Sequence, residues 1–235
     1  MPDVRIDAEG ALLSGTLEHA GAGDALVIFA HGSGSGRRSP RNLAVAEAIR
    51  GAGLSTLLFD LLSEEEDVID RATGRLRFDV HLLGDRLEAV TEWAVGQFVN
   101  DSGVSIGYFG ASTGAAAALV AASHLGDRIS AVVSRGGRPD LAGAQALGLV
   151  VAPTLLVVGE RDREVLVLNQ QALSQLQCDK DIEIVPGASH LFQEPGALEE
   201  VSLHAIDWFR RWLQPGASLR EARPNRRRGS EARPR

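Results

Sequence analysis

Ser112 lies in the run Gly110-Ala111-Ser112-Thr113-Gly114, where an apolar stretch of strand character meets an alanine-rich stretch of helical character. A serine on such a turn stands on constrained backbone with its hydroxyl outward, and the flanking glycines let neighbouring chain pass without Cβ clashes. This is the pattern of a nucleophile elbow. At neutral pH a serine hydroxyl needs an imidazole to take its proton, and the imidazole needs a carboxylate to fix its tautomer. His190, in Gly187-Ala188-Ser189-His190, and Asp162, in Gly159-Glu160-Arg161-Asp162, are the candidates, giving the chain order Ser, acid, His. The Gly-x-Ser-x-Gly pattern recurs at Gly103 to Gly107, but Ser105 runs into Ile-Gly-Tyr-Phe, the opening of a strand, and is set aside. Asp60 and Asp140 are rivals to Asp162, which is preferred because its Gly-x-x-Asp turn aims a carboxylate toward the last loop. The remaining histidines, 19, 31, 81, 124 and 204, fall where strands or helices hold them away from the elbow.

An acyl-transfer intermediate also needs donors for its oxyanion. The backbone N–H of Thr113, at the positive end of a helix, and that of Ser33, in His31-Gly32-Ser33-Gly34-Ser35-Gly36, are the expected pair. That glycine-rich segment has neither the GxGxxG spacing nor the Gly-Lys-Ser/Thr ending of nucleotide-phosphate loops. No HxxxH or Cys/His cluster suggests a metal, and Cys178, the single cysteine, reads as incidental.

The elements that must position these groups follow from periodicity. Val4 to Ala8 and Ala11 to Glu18, joined at Glu9-Gly10, read as an antiparallel hairpin. Apolar runs at 25–30, 55–61, 105–109, 129–133, 154–158 and 181–185 read as strands, and 41–50, 80–99, 113–124, 165–176 and 198–213 as helices. Continuous Val, Ile and Leu runs suit strands buried on both faces, and their alternation with helices implies right-handed crossovers in one doubly wound, mostly parallel sheet. Loops beyond the carboxyl ends of such strands carry function, and Ser33, Ser112, Asp162 and His190 all fall there. About 20 residues separate the Val133 and Thr154 strands, too few for a helical cap, so the site should be open. Residues 63–78 read as a polar, mobile loop able to cover the entrance in part.

The HG loop, GASTG elbow, GERD turn and GASH turn, in that order, resemble the α/β-hydrolase superfamily, and the compact layout resembles its dienelactone-hydrolase-like branch. The resemblance spans residues 4 to 214. It implies an α/β-hydrolase fold without a large cap domain, and cofactor-free hydrolysis by a Ser or Cys nucleophile. Dienelactone hydrolases proper use Cys where this chain has Ser112. Some relatives are fused to a phosphoribosyltransferase domain, which is not expected in this chain. The resulting expectation is a carboxylesterase-like serine hydrolase of small or moderately sized acyl esters. The alternatives are acyl transfer or thioester cleavage on the same triad, and ligand binding without catalysis.

Arg37, Arg38, Arg135, Arg138, Arg161 and Arg163 map to the same sheet edge. Guanidinium forks suit anions, so Arg135 first, then Arg138 and Arg37, are candidates for holding an anionic group of a small-molecule substrate. The competing reading has them neutralise Glu64, Glu65, Glu66 and Asp67. The net charge of −7 comprises +5 on residues 215–235 and −12 on the body. The tail, with seven arginines and almost no apolar residue, is expected to be disordered beyond a hydrolase domain over 1–214. A nucleic-acid role rests on that tail alone and is disfavoured. With no apolar run of membrane-crossing length and no signal-peptide pattern, a cytoplasmic location is expected, and oligomeric state is open.

Overall fold

The apolar runs form strands buried on both faces. In the computed structural model, which describes residues 3–20, 25–98 and 104–213, they make one eight-stranded sheet. In chain order the elements are β1 (Asp3–Ala8), β2 (Ala11–Glu18), β3 (Ala25–Ala30), α1 (Pro40–Gly51), β4 (Ser55–Phe59), α2 (Glu64–Thr73), α3 (Val80–Val95) and β5 (Ser105–Ala111). Then follow α4 (Thr113–Leu125), β6 (Ile129–Arg135), α5 (Gly143–Leu149), β7 (Thr154–Gly159), α6 (Arg163–Gln175), β8 (Lys180–Val185) and α7 (Ala197–Trp212). The strand order is β1-β2-β4-β3-β5-β6-β7-β8. β1/β2 and β2/β4 pair antiparallel, and every other pair is parallel. The hairpin turn has positive φ at both Glu9 and Gly10, which matches the right-handed twist of its strands.

Alternation along each strand divides the core. Val27, Phe29, Phe109 and Val133 face α1 and α7, while Leu26, Ile28, Tyr108 and Val132 face α3 to α6. Close packing on the second face depends on small residues: Ala115 to Ala118 of α4 are wholly buried, and a Cβ on Gly84 of α3 would come within 2.8 Å of Val120 Cγ1. On the first face Phe209 sits over Gly107, where a Cβ would meet its ring at 2.8 Å. Truncating such a fully buried phenylalanine costs about 3–5 kcal/mol, so this contact holds α7 on the sheet.

Two expectations need correction. Residues 63–78 are not a loop: Ser63 and Glu66 form a reciprocal capping box, Gly74 ends α2 in the left-handed region, and a 3₁₀ turn at Leu76–Phe78 leads into α3. A further short helix, α5, occupies the excursion before β7. There is no large cap. The tail at 215–235 lies outside the described residues; α3, expected to run to Val99, ends at Val95, where Gly96 follows in a turn.

Candidate active site

Ser112 is the residue between β5 and α4, with φ 52° and ψ −121°. A non-glycine residue held there stores about 1–3 kcal/mol and persists only where its surroundings insist on it. Three backbone bonds do so: Ser112 N–H donates to Arg135 O, and Ser112 O accepts from the N–H groups of Ala115 and Arg138. The glycines are needed for contact. A Cβ on Gly114 would lie 2.2 Å from Ala30 O, and one on Gly110 2.4 Å from Ala115 Cα.

Asp162 begins α6 and His190 lies in the loop after β8. His190 Nδ1 and Asp162 Oδ2 are 2.6 Å apart. A carboxylate only accepts, so Nδ1 carries the proton and Nε2 keeps a free lone pair. Neither rival acid is available. Asp60 accepts the Arg37 backbone N–H at 2.7 Å and also pairs with its guanidinium, and Asp140 takes Arg138 in a bidentate pair at 2.9 and 2.8 Å. Ser112 Oγ makes no hydrogen bond among the described residues, to His190 or to the start of α4. Serine and histidine meet instead around the 135–138 turn, which bonds Ser112 on one side. On the other, a Cβ on Gly136 would lie 3.1 Å from His190 O and 3.6 Å from His190 Nδ1.

The oxyanion pair differs from expectation at Ser33. Its backbone N–H is engaged, donating to Thr113 Oγ1 at 2.8 Å, because the buried Thr113 side chain turns toward the glycine-rich loop. His31 is a brace rather than a base. Its Nε2 accepts the Leu61 N–H at 3.0 Å, which places the ring proton on Nδ1, facing Gly32 O at 3.0 Å. Burial holds its pKa below the ordinary histidine value, with Gly32 O acting the other way.

The arginines separate in the same manner. Arg37 and Arg138, expected to bind substrate, are consumed by Asp60 and Asp140, so that expectation is corrected for both: their charges are matched within the fold. Nor do the loop arginines neutralise the acidic run, since Glu64 pairs with Arg5, Glu66 with Arg86 and Asp67 with Arg71. Arg135 is 6% exposed, stacks on the Phe192 ring at 5.9 Å and reaches Asn42 Oδ1 at 3.1 Å. Burial, helped by the charge of Arg41, pulls its pKa down to about 10, so it remains cationic at neutral pH.

Beside Thr113 a cleft of about 510 Å³ runs between the HGSGSG loop and α2, with Leu61, Leu62 and Leu83 as apolar wall and Asp67, Arg71 and Arg77 at its lid side. Of the elbow, Thr113 lines this cavity; Ser112, Asp162 and His190 do not.

No family model matches the chain. Two strains of Mycobacterium tuberculosis have a protein named "Putative phosphoribosyl transferase" that is 56% identical over 184 residues, 78% of this chain. The chain spans 40% of the length of those relatives. Among solved structures, a dienelactone hydrolase from Anabaena variabilis is 50% identical, with a TM-score of 0.87 over 91% of this chain and 98% of that one. The chain belongs to the dienelactone-hydrolase-like branch of the α/β hydrolases. Est1E from Butyrivibrio proteoclasticus shares the fold at 16% identity, with a TM-score of 0.74 over 89% of this chain and 98% of its own.

In this dienelactone-hydrolase-like chain, contacts that the sequence did not reveal tie the Asp162 and His190 loops together. Glu160 Oε2 accepts the Gly187 N–H at 2.7 Å, Arg161 N–H donates to Ala188 O, and Glu194 accepts the Ser189 N–H while pairing with Arg161. The Ser189 amide holds the Glu194 carboxyl below its usual pKa range. Phe192, at φ 53°, is a second strained residue two positions after His190. Asn169 on α6, fully buried, donates to Gly137 O and ties the 135–138 turn to the helix that carries Asp162. Among the described residues one group could offer a metal three donors, Asp85, Glu88 and His124, at the far end of α4 from Ser112. Two of its members are already paired, His124 Nδ1 with Glu88 Oε1 at 2.7 Å. No helix among the described residues is long and apolar enough to cross a membrane.

Proposed function

We propose that the protein is a serine hydrolase that cleaves small or moderately sized acyl esters through an acyl-enzyme. The observation that carries this is the 2.6 Å His190–Asp162 pair, at the same sheet edge as a serine held at positive φ. Membership of a branch whose solved members include a dienelactone hydrolase supports it. Rotation of the Ser112 side chain toward Nε2 completes the relay, as catalytic hydrogen bonds often tighten only once substrate is bound. Ser112 Oγ then adds to the ester carbonyl while its proton passes to His190 Nε2, and Asp162 stabilises the imidazolium. Collapse of the tetrahedral adduct expels the alcohol, which takes that proton. Water, deprotonated by the same imidazole, releases the acid.

The oxyanion faces the amide of Thr113 and, in place of the engaged Ser33 amide, the Thr113 hydroxyl, whose oxygen is already polarised by the Ser33 N–H. Acyl transfer to another acceptor would use the same groups, but an open cleft admits water freely, which favours hydrolysis.

Labelling by a fluorophosphonate probe tests the reading. Folded parent protein reacts, and Ser112→Ala does not. Absence of labelling in the folded parent, together with no turnover across esters graded by length and charge, would sink it.

A further inference from the structure

A second cleft, of about 690 Å³, lies against the start of α1 and shares Ser33 to Gly36 with the first. Arg38 and Arg41 line it, and neither has a carboxylate partner among the described residues. Arg41 Nε is buried without a hydrogen-bond partner. The acids on the walls are committed elsewhere, Asp60 to Arg37 and Glu64 to Arg5. At the helix start the Ser39 side chain makes no cap bond and the first turn holds no acidic residue, so no group of α1 itself offsets the positive end of the dipole.

Arg135 is an independent sign of the same imbalance. It is 6% exposed; its Nη2 reaches Asn42 in that first turn, while among the described residues its Nε has no partner and no carboxylate pairs with it. A buried guanidinium without a counter-ion, beside a second cation, is costly until an anion completes the set.

We propose that this cleft is a phosphate-binding subsite, in which Arg38, Arg41 and the first turn of α1 hold a phosphate group; Arg135 does not line it and stands behind that turn, on Asn42. A carboxylate would balance one of these charges; a phosphate carries up to two and offers three acceptor oxygens to two guanidinium forks and a helix terminus. The recognition is by arginines, not by a glycine-loop cradle. The Ser33 to Gly36 wall is shared with the cleft that Thr113 lines, so a phosphate borne by the substrate would lie across that wall from Thr113, and that part rests on the hydrolase reading.

Inorganic phosphate titrated at constant ionic strength, followed by calorimetry and by thermal shift, tests the site. Parent protein should bind saturably, and Arg41→Gln and Arg38→Gln should each lose about tenfold or more in affinity with no fall in melting temperature without phosphate. Arg71→Gln, outside this cleft, should bind as the parent does. No saturable binding, or equal binding by parent and both variants, overturns the proposal.

The source of the group is read from esters of equal length with and without a terminal phosphate. A lower KM for the phosphorylated ester that disappears in Arg41→Gln assigns the site to substrate. Phosphate binding with no KM advantage assigns it to free inorganic phosphate. Calorimetry needs no catalysis, so a chain that binds phosphate yet escapes fluorophosphonate labelling would retain the subsite and lose the esterase reading.

Discussion

The hydroxyl of Thr113 is placed to decide how the developing charge is met. Ser33 N–H donates to its oxygen at 2.8 Å, and the hydroxyl hydrogen has no acceptor among the described residues, so the two groups form a short donor chain aimed at the cleft. Loss of one oxyanion donor typically costs about 100- to 1000-fold in kcat. Thr113→Ala should lower kcat about 100-fold with KM within about twofold, and Thr113→Ser should restore most of the rate. A kcat that survives in Thr113→Ala would mean that the freed Ser33 amide serves directly. Sequence alone could nominate both residues, because each follows a strand that ends at the same edge. It could not see that one occupies the other's amide, since that depends on a rotamer at a contact spanning 80 residues. The depth of Arg135 was hidden for the same reason, being set by Phe192 and by Asn42, 93 positions away.

Among the elements, the ends of β3 and β4 are joined through His31, whose ring accepts the Leu61 N–H and must be neutral to do so. Its pKa in the folded chain lies below the unfolded value of 6.5, so on acidification the unfolded state takes up the proton first. The stabilisation is therefore complete above about pH 6.5 and is lost as pH falls toward the folded-state value. Denaturant melts of the parent should weaken from pH 7.5 to pH 5, and His31→Gln, which can still accept through its amide oxygen, should show a flatter profile. Identical pH dependence in both proteins would remove His31 from that role. The strands and long helices were legible because their apolar periodicity is strong; most ends shifted by a residue or two, while α3 stops at Val95, short of the expected Val99. Helix α2 was read as a polar loop although Ser63-Glu64-Glu65-Glu66 spells its capping box; it buries only Asp70 and so shows no apolar stripe. Helix α5 carries a single buried residue, Leu147, and so leaves no apolar stripe to find.

At the scale of the whole molecule, one sheet edge gathers everything reactive while the rest is arranged to stay inert. The outer strand β8 pairs only with β7, and Lys180, Asp181 and Glu183 along it discourage a second sheet from adding there. The bonds between the 160–162 and 187–190 segments tie together the two loops that carry Asp162 and His190, which meet at 2.6 Å.

Ser112, by contrast, is kept where a side chain is unwelcome, and this has an evolutionary corollary. Glycine adopts that backbone without penalty, so Ser112→Gly should melt higher than the parent, by about 1 kcal/mol in denaturant titrations, while losing all reactivity. Selection for heat tolerance alone would favour glycine at this position, so a serine there trades folding stability for a hydroxyl at the sheet edge.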